Sequence, residues 1–116
     1  MLSSPDPLAE VFPLQTVTWE LDEPRRVHLV GVGGPGMSAI AIALAEMGHT
    51  VSGSDIRERQ LLDRLRASGV TVHIGHDRRH VHDADVVTYS TAIPADINEL
   101  DEARKRGIPT VHRSEV

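Results

Sequence analysis

A glycine-rich segment has the composition and spacing of a backbone phosphate-binding loop. It follows the apolar run at 27–30 and leads into residues with helical periodicity. Gly31, Gly33 and Gly36 occupy the three glycine positions of a G-x-G-x-x-G pattern. The first glycine permits a sharp turn, the second lets a diphosphate approach the backbone, and the third lets helix and strand pack closely. Free N–H groups and the positive dipole end of the next helix favour an anion, so we predict a nucleotide diphosphate site.

An acidic residue follows this loop at the spacing of a ribose ligand. Residues 50–54 predict a strand, and Asp55 comes directly after it, about 20 residues beyond Gly36. A carboxylate here accepts hydrogen bonds from ribose hydroxyls and would repel a 2′-phosphate. Asp is also a preferred N-cap residue, so capping of the next helix is the structural alternative for Asp55.

The loop and Asp55 require elements that place them side by side, and the sequence predicts alternating strands and helices. We predict strands at 27–32, 50–54, 71–75, 85–90 and 109–112, and helices at 35–48, 58–68 and 96–106. The first helix places five apolar residues on one face: Met37, Ile40, Ala41, Leu44 and Met47. Gly48, Gly69 and Gly107 each end a helix. This pattern predicts a doubly wound, Rossmann-like α/β fold with a five-stranded parallel sheet, order 3-2-1-4-5, and helices on both faces.

In such a sheet the ligand crevice lies at the carboxyl ends of the first and fourth strands. Beyond the glycine loop, the residues expected along it are Ser54, Asp55, Gly75, His76, Ser90, Thr91 and Ala92. His76 could bond to or stack on a base there, and an exposed loop histidine is the alternative. Ser38, in the first turn of the first helix, is a candidate hydrogen-bond donor to a phosphate, or else a residue that only starts the helix. Because no base is predicted beside it, we do not interpret it as a nucleophile. We therefore predict a binding domain without catalytic residues.

Four histidines fall in one segment: His73, His76, His80 and His82. Imidazole is a common metal ligand, so a metal site is one hypothesis. However, the four lack helical i, i+4 spacing, and His73 and His76 do not share a strand face. We therefore predict no metal site and interpret the segment as a solvated basic strip around Arg78 and Arg79.

Composition excludes several classes of function. The 116 residues suffice for one domain, the net charge is −5, and there is no basic cluster, which argues against nucleic-acid binding. The absence of cysteine excludes disulfides and thiol chemistry and fits a cytoplasmic protein. No signal peptide or membrane span is predicted. Residues 1–25 contain four prolines and predict a mobile or loosely packed leader before a domain at 26–116.

Several segments together resemble the amino-terminal domain of the Mur ligases, in particular those that join UDP-N-acetylmuramate to L-alanine. They are Gly-Gly-Pro-Gly-Met-Ser at 33–38, Ser-Gly-Ser-Asp at 52–55, Ile-Gly-His at 74–76, Ser-Thr-Ala-Ile at 90–93, Asn-Glu-Leu at 98–100 and Arg-Gly-Ile-Pro at 106–109. The resemblance implies a cytoplasmic enzyme of peptidoglycan synthesis that uses ATP and Mg²⁺ in its other domains. It also implies two sets of contacts with UDP-N-acetylmuramate. The diphosphate contacts are Gly31, Gly33, Gly34, Gly36, Met37 and Ser38; the ribose and uracil contacts are Ser54, Asp55, His76, Ser90, Thr91 and Ala92.

Two departures from the family pattern qualify this expectation. Pro35 stands where the family usually has alanine and supplies no N–H to a phosphate. The 116 residues also contain no G-x-x-x-x-G-K-[ST] loop for ATP. We therefore expect a substrate-binding domain of a longer ligase, without ligase or ATPase activity of its own. The alternatives are a Mur-type ligase that attaches a preformed peptide, and an NAD-binding regulatory or dehydrogenase module.

Overall fold

Five parallel strands form the centre of the fold in a computed structural model that describes residues 24–34, 36–90, 93–94 and 97–112. The strands are β1 (Arg26–Val30), β2 (Thr50–Asp55), β3 (Thr71–Ile74), β4 (Val86–Tyr89) and β5 (Thr110–His112). Their order is β3-β2-β1-β4-β5, and every neighbouring pair is parallel. The predicted doubly wound sheet and its strand order are therefore confirmed. Most of the predicted leader lies outside the described residues, as do Pro35, Thr91 and Ala92.

Helices connect these strands: α1 (Met37–Glu46), α2 (Gln60–Ala67), α3 (Asn98–Lys105) and a 3-10 helix (Arg78–Val81). Gly48, Gly69 and Gly107 follow the α-helices with φ of 95°, 95° and 72°, which confirms them as the predicted ends. The 3-10 helix was not predicted, because four residues are too few to show helical periodicity. None of the helices in the described part of the chain has the length and apolar composition that crossing a lipid bilayer requires.

The apolar face predicted for α1 is correct except at its end. Met37, Ala41 and Leu44 are buried in the core, and Ile40 packs against it. Met47 was predicted to lie on this face but is 38% exposed. It follows the last helical residue as the C-cap, so the helix ends before the next inward position is reached.

The two faces of the sheet carry separate core clusters. Val27 and Leu29 of β1 pack with apolar residues of α1 and α2, whereas Val30 packs with residues of α3 and the 3-10 helix. Because strand side chains alternate, His28 faces the same side as Val30. The register pairs His28 with Ser52, which places polar side chains on the sheet beneath the 3-10 helix.

Candidate functional site

The glycine loop leaves the carboxyl end of β1 and is fastened to the end of β2. The N–H groups of Gly31 and Val32 both donate to the carbonyl oxygen of Ser54, at 2.8 and 2.9 Å. Gly31 has φ of +78°, a left-handed conformation that side chains disfavour. The sharp turn predicted for the first glycine is therefore confirmed, and it places the rest of the loop at the carboxyl ends of β1 and β2.

Asp55 holds the second glycine of the loop. Its Oδ2 accepts a hydrogen bond from the N–H of Gly33 at 3.0 Å. Its Oδ1 accepts from the N–H of Ile56 at 2.8 Å and from the Arg59 guanidinium at 3.3 Å. The N-cap of α2 is Arg59, so the helix-capping alternative for Asp55 is wrong. A Cβ on Gly33 would lie 2.5 Å from Asp55 Oδ2, so this buried carboxylate itself requires glycine there.

Helix α1 begins at the far end of the loop, with Gly36 as its N-cap at φ +80°. Gly36 is exposed and its requirement is conformational, so the close helix–strand packing predicted for the third glycine is not its role. The N–H of Met37 donates to the Gly34 carbonyl oxygen at 3.1 Å. The N–H of Ser38 points to the same oxygen from 3.5 Å, which makes a weaker hydrogen bond. The amides already engaged within the site are those of Gly31, Val32, Gly33, Gly34 and Met37. A ligand at this helix start would therefore meet the weakly bonded Ser38 amide and the positive end of α1.

The segment after β4 lies against the glycine loop, as the fold predicted. A Cβ on Gly31 would lie 2.8 Å from Cδ1 of Ile93, so the two segments are in close contact. Ser90 is half-buried, and its carbonyl accepts from the N–H of Ile93 at 3.1 Å. Thr91 and Ala92 lie outside the described residues, and their ligand contacts stay predictions.

A buried carboxylate lies behind this crevice, and sequence reasoning did not identify it. Glu99, at the start of α3, is 0% exposed. Its Oε1 accepts hydrogen bonds from the Ser54 hydroxyl at 2.6 Å and from His76 Nδ1 at 2.9 Å. Its Oε2 contacts His80 Nδ1 and lies 3.4 Å from His28 Nε2. Ser54 and His76, predicted as ribose and uracil contacts, thus already share a partner inside the protein.

Two signals in the sequence point to this cluster. Glu99 is one residue before Leu100 and four before Ala103, and all three are buried on one helix face. His28 is a polar residue inside an apolar parallel strand, where a buried partner is required. Each signal alone was ambiguous, because sequence does not show which helix face meets which strand.

The histidine segment is not the solvated strip that we predicted. His73, His76 and His80 are partly buried, and the rings of His73 and His80 stack at 4.1 Å. Burial, then repulsion from the neighbouring imidazoles, lowers the pKa of His73. His82 is exposed and lies apart, with its Nε2 at 3.3 Å from Glu102. The strip interpretation is therefore wrong for His73 on β3 and for His80, which the 3-10 helix places against it. His76 is partly buried, so the alternative of an exposed loop histidine is also wrong.

The environment of Glu99 favours the ionised carboxylate. Burial opposes the charge, but the interactions with His28 and the hydrogen bonds from Ser54 and His80 outweigh it. Together they lower the pKa of Glu99 from 4.5 to about 2. Ionised Glu99 therefore contributes stability that is present above about pH 4.5 and is lost as the pH falls towards 2.

We expect acid to destabilise the wild-type chain more steeply than a Glu99→Gln variant between pH 4.5 and 2. Thermal unfolding across this range measures the difference. Exposed carboxylates with lowered pKa values, such as Glu58 and Asp77, titrate in both proteins and cancel in the comparison. Identical pH dependence in the two proteins would contradict the account of Glu99.

The chain is similar to known ligases over most of its length. The chain is 56% identical over 90 residues to the UDP-N-acetylmuramate–L-alanine ligase of Rubrobacter xylanophilus, covering 78% of this chain and 20% of that protein. It thus spans about a fifth of the length of the relatives it matches.

Two solved structures share the architecture. A UDP-N-acetylmuramate-alanine ligase from Thermotoga maritima is 34% identical with a TM-score of 0.72, over 77% of this chain and 21% of that one. A murein peptide ligase from Psychrobacter arcticus is 25% identical with a TM-score of 0.69, over 74% and 18% of the two chains. The family model for the Mur ligase family, catalytic domain, matches residues 26–116. The chain described here therefore belongs to the Mur ligase family.

Proposed function

We propose that this chain binds the UDP part of UDP-N-acetylmuramate, as the amino-terminal domain of a ligase that adds L-alanine to it. The observation that carries the proposal is the loop from Gly31 to Ser38, which connects β1 to the positive end of α1 beside Asp55. An anionic diphosphate complements this helix start. The named relatives act on a substrate that contains such a group.

The diphosphate lies at the start of α1. The Ser38 hydroxyl donates to phosphate oxygens, as do the backbone N–H of Gly36 and the weakly bonded N–H of Ser38. The other loop residues, Gly31, Gly33, Gly34 and Met37, act mainly by shape, because their amides are already bonded within the protein. Pro35, the neighbour of Gly36, adds no donor.

The ribose and base lie along the adjoining strand ends. Each carboxylate oxygen of Asp55 accepts one backbone hydrogen bond, from Gly33 or from Ile56. The remaining lone pairs accept hydrogen bonds from the ribose hydroxyls. His76 hydrogen-bonds through Nδ1 to Glu99, which leaves its Nε2 for the base. Ser54 contributes by orienting this histidine, with 3.1 Å between its hydroxyl and the Nδ1. Ser90, Thr91 and Ala92 complete the uracil end.

The remaining chemistry belongs to the whole ligase. There, in the cytoplasm, ATP with Mg²⁺ would supply a phosphoryl group to the carboxylate of UDP-N-acetylmuramate with release of ADP. The amine of L-alanine would then displace inorganic phosphate to form the amide bond. We assign this step to the parts of the ligase outside the fifth of its length that this chain matches. Our proposal for the chain itself is therefore binding and orientation of the nucleotide end of the substrate.

Ser38→Asp tests the site without disturbing the loop. An acidic residue in the first turn suits the helix dipole, so the variant is expected to fold with unchanged or slightly higher stability. Its carboxylate repels the diphosphate, and we expect the affinity for UDP-N-acetylmuramate to fall at least about tenfold. Calorimetric titration with UDP-N-acetylmuramate and with UDP measures the effect.

Ser38→Ala is the matched control. It removes one hydroxyl and adds no charge, so its affinity is expected to fall by much less than that of Ser38→Asp. Equal affinity of the wild type and Ser38→Asp would show that the diphosphate does not lie at α1. A variant at Gly33 would not serve, because its side chain would first meet Asp55.

A second candidate is the amino-terminal domain of a ligase that attaches a preformed peptide instead of L-alanine. The similarity to the murein peptide ligase structure supports it. Both candidates predict the same nucleotide site in this chain. The amino acceptor that the full-length ligase uses, L-alanine or a peptide, distinguishes them.

A further inference from the structure

His28 has a buried ring nitrogen that the fold leaves without a hydrogen bond. Its side chain is 0% exposed, and Nε2 has no hydrogen-bond partner in the part of the chain that the structure describes. This nitrogen lies 3.4 Å from Oε2 of Glu99. A buried polar atom without a partner costs free energy, so the arrangement calls for a group that engages it.

The other ring nitrogen of His28 indicates what that group is. Nδ1 forms a hydrogen bond of 2.8 Å with the hydroxyl of Ser52. With Nδ1 as the donor to Ser52, replacement of the Nε2 proton by a cation turns a lone pair of Nε2 towards the carboxylate of Glu99. Two electron-pair donors that face each other are the arrangement of two ligands around one cation. A hydrogen bond from the second ring nitrogen also typically orients histidines that bind metals.

A third donor lies beside these two. His80 Nδ1 contacts the same carboxylate oxygen, and the candidate donor atoms of His28, His80 and Glu99 all lie within 4.8 Å of one another. Zinc ligands at about 2.1 Å in tetrahedral geometry lie about 3.4 Å apart. The separation between His28 Nε2 and Glu99 Oε2 has this value, 3.4 Å. The ring of His80 has to move back from the carboxylate to admit the ion.

The surroundings allow that movement and supply a route for the ion. A cavity of about 420 Å³ adjoins the cluster and is lined by Ser52, His73 and His80 among others. It also reaches Arg26 and Thr50, the first residues of β1 and β2, so it opens at the amino-terminal ends of the strands, away from the glycine loop. A water molecule from this cavity can occupy the fourth position around the ion. On the other side, His76 and Ser54 hydrogen-bond to Oε1 and hold the carboxylate in place.

We propose that His28, His80 and Glu99 form a binding site for one divalent transition-metal ion of the zinc class. Imidazole and carboxylate ligands in a buried, compact set suit Zn²⁺ better than Mg²⁺, which prefers oxygen ligands and retains water. The site lies behind the proposed nucleotide crevice and does not depend on nucleotide binding. The ion links β1, the 3-10 helix and α3, which are distant in sequence. Its binding therefore stabilises the fold.

Zn²⁺ titration of the chelator-treated chain tests this proposal. We expect calorimetry to give one ion per chain, and His80→Gln to weaken binding at least tenfold. His82→Gln is the matched control, because His82 is exposed and two residues away, and it should bind Zn²⁺ as the wild type does. No saturable binding by the wild type, or equal affinity of His80→Gln and the wild type, would overturn the proposal.

Imidazole nitrogen-15 NMR of the wild-type chain gives a second measurement that needs no substitution at the buried His28. We expect the resonance of His28 Nε2 to shift on addition of one equivalent of Zn²⁺, as the ion takes the place of any proton on this nitrogen. A His28 that stays doubly protonated and does not respond to Zn²⁺ would also overturn the proposal. In that case a proton between His28 Nε2 and Glu99 Oε2 would occupy the position that we assign to the metal ion.

Discussion

Replacing Glu99 with alanine is expected to lower the free energy of unfolding by about 3 kcal/mol, because several buried groups lose one common partner. The Ser54 hydroxyl and His76 would lose the acceptor that they share, at 2.6 and 2.9 Å. His80 would lose its contact with the other carboxylate oxygen. The empty space would lie inside the packed layer between the sheet and α3. Urea denaturation of the wild type and the variant measures the loss.

Glu102→Ala is the matched control for this prediction. Glu102 lies on the same helix, but its side chain pairs at the surface with Arg106 and His82. Surface ion pairs contribute little to stability, so this variant should stay close to the wild type. Equal, small effects of the two substitutions would show that the Glu99 cluster does not support the fold.

The second large effect is expected at Gly53 in the middle of β2. A Cβ on this residue would lie 2.5 Å from the Cβ of Val32 and 2.7 and 2.8 Å from its two methyl groups. Val32 is 0% exposed and belongs to the glycine loop, so neither the strand nor the loop can yield without moving the site. We expect Gly53→Ala to cost about 2 kcal/mol of stability through overpacking. It should also weaken nucleotide binding, since the loop is displaced.

Thr50→Ala separates this clash from a general effect on the strand. Thr50 is exposed at the start of the same strand, so its replacement leaves the packing with Val32 unchanged. Urea denaturation should therefore show a large loss of stability only for Gly53→Ala. A Gly53→Ala chain as stable as the wild type would contradict the close contact between β2 and the loop.

The fold was predictable because its signals are local and repeat along the chain. Short strand-like segments alternated with segments of helical periodicity, and glycines marked the helix ends. The strand order followed from the alternation of strands and helices. The errors in predicting the fold concern the ends of helices and elements of only a few residues. Met47 lies just past the end of its helix, and the 3-10 helix is too short to show a period.

The candidate site was predictable only where a known sequence spacing connects its residues. The glycine loop and Asp55 adjoin as the fingerprint requires, but Asp55 holds Gly33 and does not cap a helix. The cluster at Glu99 joins β1, β2, the 3-10 helix and α3. Its members lie up to 71 residues apart, from His28 to Glu99, and no spacing rule connects them. Only the folded sheet shows that these side chains meet.

The most direct test of the central claim is titration of the chain with UDP-N-acetylmuramate, UDP and NAD, followed by backbone amide NMR. Our account predicts that both UDP ligands shift the resonances of Gly36, Ser38, Asp55 and His76, and that NAD leaves them unchanged. Shifts with NAD alone would contradict a UDP-substrate domain and indicate a nicotinamide-binding module. Shifts with UDP ligands that avoid the loop between β1 and α1 would contradict the site proposed here.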